Sequence, residues 1–281
     1  MPVEPSVPHA VPRPDRFLPA GMQGEGGPIG LMAALPEELA AVLDIMPDEA
    51  QVQLGGRTFW VGHLHGRAVV AVLSGIGKVA AATTTTLLAG HFGVSQIVFV
   101  GVAGGLGEGV RVGDVVLADA LLQHDMDASP LFPRFELPGT GLSRLPADPA
   151  RVTLARETLA AALAPEVLSM AQPHPLRAED LTALGLTWPR LHTGLIVSGD
   201  QFVCTDQASA ALRTALPDAL AVEMEGAAVA QVCRDLTVPC LVIRTVSDRA
   251  DDAAHIDFPR FLQTVASPYA GAMLAHLVPA L

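Results

Sequence analysis

From Ile29 onward the chain alternates two kinds of apolar pattern. Short runs that are almost continuously apolar, such as "IVFVG" and "LVIRTV", predict strands buried on both faces. Longer segments with apolar residues every three or four positions predict helices. On that basis strands are expected at Ile29–Ala34, Gln96–Gly101, Asp114–Ala118, Gly194–Ser198, Ala219–Glu223 and Pro239–Val246, with a hairpin-like pair at Arg57–Leu64 and Ala68–Leu73. Helices are expected at Pro36–Ile45, Lys78–His91, Arg151–Leu163, Arg177–Leu184, Glu225–Leu236 and Phe258–Leu277. Strands alternating with helices imply one α/β domain, a mixed or parallel sheet with helices on both faces. Residues 1–28, rich in proline and lacking apolar periodicity, are expected to form a flexible arm ahead of a domain spanning 29–281.

Composition narrows the class. The chain has 281 residues, half of them apolar, enough for one large core or two small ones. The net charge of −12 and a pI near 5.1 argue against nucleic acid as a partner, since phosphate-backbone binding needs a basic face. No apolar run reaches the ~18 residues of a membrane helix, and the N-terminus lacks a signal-peptide layout, so a cytoplasmic protein with no membrane partner is expected. Cys204, Cys233 and Cys240 form no C-x-x-C pair and are expected to be core thiols.

Single motifs decide little. "GIGKVA", Gly75–Ala80, fits the G-x-G-x-x-A spacing of a dinucleotide site, but the next strand ends in Gly101 and not in a ribose-binding acid. It is not a P-loop either, because Val79 follows Lys78 where Ser or Thr is required. What remains is either a tight strand-to-helix turn or a turn whose N–H groups hold an anion or a sugar. Lys78 is the only lysine in the chain. "HDMD", His124–Asp127, offers metal-ligating types, but no second cluster at ligand spacing accompanies it, so it reads as a polar loop and no metal is expected.

More telling is that four apolar strands end in polar segments, where open α/β sheets bind ligands: "LPEEL", "GVAGGLG", "AVEMEG" and "IRTVSD". Each has a structural explanation. Glu37 and Glu38 suit a first helical turn behind Pro36, and Asp248 suits an N-cap. Arg244 in an apolar strand is harder to explain away, since a buried guanidinium needs an acidic or hydrogen-bonding partner. Glu223 and Glu225 face one way on a strand and diverge if the segment is already turning into a helix.

In order along the chain, "IGLMAALPEEL", "SGIGKVAAA", "GVAGGL", "VGDVVLAD", "HDMD", "GLIVSGDQF", "AVEMEGAAVAQVC", "VPCLVIRTVSD" and "DFPRF" resemble the 5′-methylthioadenosine/S-adenosylhomocysteine nucleosidases of the purine nucleoside phosphorylase superfamily. The resemblance runs from about Ile29 to the C-terminus. It implies a central mixed, partly barrel-like sheet flanked by helices, and hydrolysis of the N-glycosidic bond of adenine thionucleosides, as in methionine salvage. It implies a homodimer and no cofactor.

Residue by residue, the resemblance makes Asp248 the acid at adenine N7, kept protonated by burial and oriented by Ser247. Glu38 matches the carboxylate that activates the attacking water, and Arg244 a partner holding that water. Glu225 matches the clamp on the ribose hydroxyls, with Met224 against the sugar and Glu223 in support. Phe202 and Val203 match the adenine pocket, Phe258 its purine-side closure, and Ala103 and Gly104 its floor. Some positions depart from the family pattern: Val102 stands where Ser or Thr is usual, Leu35 and Pro36 replace Met-Glu, and the loop after His124, with Leu131 and Phe132, is short. Two alternatives stay open. One is another adenine nucleoside, such as aminodeoxyfutalosine; the other is a phosphate-dependent phosphorylase, disfavoured because a carboxylate repels a phosphate dianion by about 1 to 4 kcal/mol at contact.

Overall fold

The computed structural model describes residues 26–250 and 258–281. The expected arm lies outside the described residues except at its end. There Ser95 N–H donates to Pro28 O at 2.8 Å.

The strands are β1 (Ile29–Ala33), β2 (Ala50–Leu54), β3 (Arg57–Leu64), β4 (Arg67–Leu73), β5 (Gln96–Gly105), β6 (Val115–Gln123), β7 (Leu145–Pro146), β8 (Leu191–Ser198), β9 (Ala219–Glu223) and β10 (Cys240–Asp248). The helices are α1 (Pro36–Leu43), α2 (Lys78–Gly90), α3 (Pro149–Ala162), α4 (Pro165–Met170), α5 (Ala178–Ala183), α6 (Asp206–Ala215), α7 (Gly226–Asp235), α8 (Phe258–Phe261) and α9 (Ser267–Ala280). One mixed sheet runs β10-β6-β8-β9-β5-β1-β4-β3-β2, and β10 also pairs with β5. That extra pairing closes β5, β10, β6, β8 and β9 into a five-stranded barrel, from which β1, β4, β3 and β2 extend as an open wing. This is the α/β architecture that the sequence implied.

Strand periodicity explains the two layers. In β1, Ile29, Leu31 and Ala33 pack with α1, α3 and α9, while Met32 packs with α2 and α7. β5 and β10 divide the same way: Val98, Val100, Leu241 and Ile243 lie on the first side, and Ile97, Phe99 and Val242 on the second. Strands covered on both faces must be apolar throughout.

Several expected boundaries are corrected. β5 continues through Gly101–Gly105, because its first half pairs with β1 up to Phe99 while Gly104 and Gly105 pair with β9. β6 runs past Ala118 to Gln123 through a bulge at the exposed Asp119, which reads in sequence as a strand end. The sequence reading missed the half-exposed edge strand β2, the short β7 and α4, and α6, whose start is capped by Thr205 accepting from Ala208 N–H at 3.2 Å. The closing helix is not continuous. Leu262–Ala266 is a π-helical turn one residue ahead of Pro268, which has no N–H to give and whose ring crowds the preceding turn. Of the three thiols, Cys233 is buried and Cys204 and Cys240 are only partly so.

Candidate active site

β5 belongs first to the wing and then to the barrel, and at the fork a cavity of about 200 Å³ opens. Its walls are Ala34, Leu35 and Glu38 after β1, Gly101–Gly104 of β5, Val222–Glu225 after β9, and Ser247 and Asp248 of β10. Ile76, Gln201–Val203, Arg244 and Phe258 complete the lining. Every residue of the sequence-derived site therefore lines one cavity.

Glu38 is the third residue of α1 and only 1% exposed. Its Oε2 accepts from Ala34 N–H at 3.1 Å and Leu35 N–H at 3.0 Å, the capping role that its position suggested. Its Oε1 is buried and, among the described residues, makes no hydrogen bond within 3.5 Å. Burial raises the carboxyl above its ordinary range, against the pull of the Leu35 N–H and of the Arg244 charge. One carboxylate thus serves helix and cavity together.

Arg244 crosses β5 where Gly101 leaves room; a Cβ there would lie 3.0 Å from Nη1 of Arg244 and 3.4 Å from Oε1 of Glu38. The guanidinium stacks 4.0 Å from the centre of the Phe99 ring. Its Nη2 and Nε donate to Oε2 of Glu223 at 2.7 and 3.2 Å, and Nη1 to the carbonyls of Phe99 and Ile243. The buried cation is therefore neutralised by Glu223.

The two glutamates of "AVEMEG" diverge. Glu223 ends β9, pairs with Arg244, accepts from the Ser198 hydroxyl, and takes the N–H of Gly226 at 2.8 Å at the start of α7. Its oxygens are occupied by protein donors, so its support of the site is indirect. Glu225 stands just before α7 and accepts from Gly77 N–H at 2.8 Å. Burial and then the neighbouring Glu223 charge push its carboxyl up to about 7. The N–H groups of the "GIGK" turn do hold carboxyl groups, and both belong to this chain: Gly77 meets Glu225 and Lys78 meets Asp200.

Asp248 closes β10 against Gly104, where a Cβ would lie 3.0 Å from Oδ1 of Asp248. Oδ1 accepts from Ala250 N–H at 2.7 Å, an arrangement that places Ala250 at a φ of 53°. Ser247 Oγ lies 2.7 Å from Oδ2 and 3.4 Å from Ala103 O, so the hydroxyl can turn between the carboxyl and the carbonyl. Phe202 is 54% exposed and forms a rim, whereas Val203 is buried. The sequence-derived site lacked Ala34, Ile76, Gly101, Gln201 and Val222 as lining residues. The signal for Ile76 was an apolar side chain, 62% exposed in the structure, set between two glycines in a turn. Asp257, part of the "DFPRF" motif, lies outside the described residues.

Acids at the carboxyl ends of parallel strands, around a cavity of this size, define a small-molecule enzyme site, and comparison with known proteins gives its class. The sequence model of the phosphorylase superfamily matches residues 28–278. The 5′-methylthioadenosine/S-adenosylhomocysteine nucleosidase of Neisseria meningitidis, solved with methylthio-immucillin-A, is 33% identical with a TM-score of 0.77, covering 91% of this chain and 100% of that one. The corresponding enzyme of S. pneumoniae, solved with a transition-state inhibitor, is 34% identical with a TM-score of 0.74, covering 89% and 97%. Futalosine hydrolase of Helicobacter pylori is 32% identical with a TM-score of 0.75, covering 92% and 99%. The chain belongs to the phosphorylase superfamily and, within it, to the nucleosidases that these structures represent.

Proposed function

We propose that this protein hydrolyses the N-glycosidic bond of 5′-methylthioadenosine and S-adenosylhomocysteine, releasing adenine and the thioribose. The observation that carries the hydrolytic reading is the charge of the cavity. Among the described residues its lining holds four carboxyl groups, Glu38, Glu223, Glu225 and Asp248, and one cation, Arg244, already spent on Glu223. Among the described residues no unpaired positive charge faces the site to hold a phosphate dianion, and its ionised acids repel one. Water meets no such barrier.

Cleavage builds positive charge on the ribose and negative charge on the departing base. Asp248 supplies a proton or strong hydrogen bond at N7 of adenine, with Ser247 turning to suit either protonation state. Oε1 of Glu38, which no described residue holds within 3.5 Å, takes a proton from water as it adds to the anomeric carbon, and its raised basicity suits that task. Arg244 fixes the position of Glu223 beside them. Glu225, ionised, accepts the ribose hydroxyls with Met224 against the sugar. Phe202, Val203 and Phe258 enclose the base over Ala103 and Gly104.

The futalosine hydrolase likeness favours a second reading, the same bond cleaved in another adenine nucleoside, such as aminodeoxyfutalosine. Ile76, Val79, Leu131 and Phe202 are exposed apolar side chains, two of them on the rim of the cavity, and they support a homodimer in which a second copy covers this edge. Unpaired cysteines suit a cytoplasmic location, and the substrates place the enzyme in methionine salvage. The test is a substrate panel in phosphate-free buffer: methylthioadenosine, adenosylhomocysteine, aminodeoxyfutalosine, adenosine and inosine, with the released base identified. The expected result is highest kcat/KM on the two thionucleosides; preference for aminodeoxyfutalosine selects the second reading, and turnover of inosine alone rejects both.

A further inference from the structure

The single lysine of the chain has a place that helix chemistry does not explain. Lys78 is the first residue of α2, where the helix dipole disfavours a cation, and no acid stands in that turn. Its ammonium donates to Oδ1 of Asp125, two residues beyond β6, at 2.7 Å and to Oε1 of Gln123, the last residue of β6, at 3.0 Å. Oδ2 of Asp125 accepts from Asp200 N–H at 2.9 Å, beyond β8. Oδ1 of Asp200 accepts from Lys78 N–H at 2.7 Å. These contacts close a ring through three loops.

Two of the three loops border the cavity or lead into it. The turn after β4 carries Ile76 on the cavity wall and Gly77, whose N–H meets Oε1 of Glu225. The loop after β8 runs from Asp200 into Gln201, Phe202 and Val203. Gly77 itself has a φ of 94°, and a Cβ there would lie 3.0 Å from Oδ1 of Asp200, so the turn fits the ring only as glycine. Gln123 extends the tie to α7, its amide donating to Gln231 Oε1 at 2.7 Å.

We infer that Lys78 is a positioning residue for the reaction: with Asp125 and Asp200 it locks the turn after β4 to the loops after β6 and β8, and so holds the Gly77 N–H on the sugar-binding Glu225. The inference rests on the reading of Glu225 as the ribose clamp. Supporting it, hydrogen bonds from Lys78 and from Asp200 N–H outweigh burial and hold Asp125 below the usual carboxylate range. His124, pushed down chiefly by burial, is uncharged beside the ring near neutral pH. Glu225 is faced by Glu223, Arg244 and Glu38 besides the Gly77 N–H, and of these the N–H and Arg244 favour its ionised form. Releasing the turn removes one of the two.

The test compares Lys78→Met, Lys78→Arg and Asp125→Asn with the parent chain, by kcat and KM across pH and by amide hydrogen exchange read by mass spectrometry. Lys78→Met is expected to raise KM about tenfold or more, the worth of a hydrogen bond to a charged group, with a smaller change in kcat. The acid limb of kcat/KM should move to higher pH, and exchange should quicken at Gly77–Lys78 and Gly199–Phe202 but not in β1 or β10. Lys78→Arg should recover part of the KM. Parent-like KM and acid limb, or unchanged exchange in those loops, would overturn the inference. If Lys78→Met does not fold, Asp125→Asn, which keeps the lysine, carries the same expectations and the same refutation. A parent chain that cleaves no adenine nucleoside would count against the proposed function alone, since the exchange comparison still decides the locking role.

Discussion

Asp248 and Glu38 line one cavity, and the proposed chemistry divides between them. Asp248→Asn removes a transferable proton but keeps hydrogen-bonding atoms near N7. A loss of about 10²- to 10⁴-fold in kcat is expected, with nucleoside affinity largely kept. Glu38→Gln should cost a comparable factor while the helix cap through its side-chain oxygen survives; parent-like turnover in either variant, measured by adenine release, removes that residue from the mechanism.

The raised carboxyl of Glu225 gives a pH prediction of two signs. Its carboxylate forms as pH rises through about 7, so nucleoside affinity should increase over that range. Stability moves the other way. Between 4.5, the ordinary value, and about 7 the folded chain keeps a proton that the unfolded chain has released, so this group's contribution to stability declines as pH rises through that window and is regained below it. Titration calorimetry with a nucleoside and melting temperatures of Glu225→Gln against the parent check both halves; a variant with the parent's pH dependence in each would contradict the assignment. At this scale, residue types and spacing in the sequence placed Glu38, Asp248 and Arg244 in polar segments at strand ends. They did not show that Glu38 caps and serves the cavity with different oxygens, or that Glu223 is consumed by Arg244. Those facts depend on which way a side chain turns between two elements.

Among the elements, β5 decides the site by changing partners midway. Its glycines look like a strand terminus in the sequence, yet the strand continues because side chains are missing where other groups must pass. Gly101 admits the Arg244 guanidinium and Gly104 the Asp248 carboxyl. Gly104→Ala would put a Cβ 2.8 Å from that of Ala250 and 3.0 Å from Oδ1 of Asp248. The expected cost is about 1 to 3 kcal/mol of stability from overpacking. A fall in kcat larger than the rise in KM is expected too, because the acid is displaced more than the pocket; unchanged kinetics would mean that the floor yields without moving Asp248. The apolar central strands were legible because burial on both faces leaves a continuous apolar run. β2, exposed along one side, and the Asp119 bulge in β6 were not, since an edge and an extra residue both mimic a loop.

For the whole molecule, barrel and wing meet at the fork that makes the cavity, and strand order alone brings Glu38, Glu225 and Asp248 together from three distant parts of the chain. Neither the order nor the closure of β10 onto β5 is written in local periodicity; the resemblance to a family supplied the barrel. The stretch 143–192 instead builds β7, α3, α4 and α5, with α3 packed on α9 away from the cavity lining. No helix among the described residues is long and apolar enough to cross a membrane. The exposed apolar rim around Ile76 and Phe202 is expected to be covered by a second copy, so light scattering should give about twice the chain mass of 29.2 kDa, and a monomer at all concentrations would refute it.

The central claim is that water, not phosphate, receives the ribosyl group, because the cavity's one described cation is already paired. The most direct measurement is the rate of adenine release from methylthioadenosine as phosphate is titrated upward from none, with the sugar product identified at each point. Full activity at zero phosphate and free thioribose throughout are expected. Turnover that requires phosphate and yields the sugar 1-phosphate would contradict it.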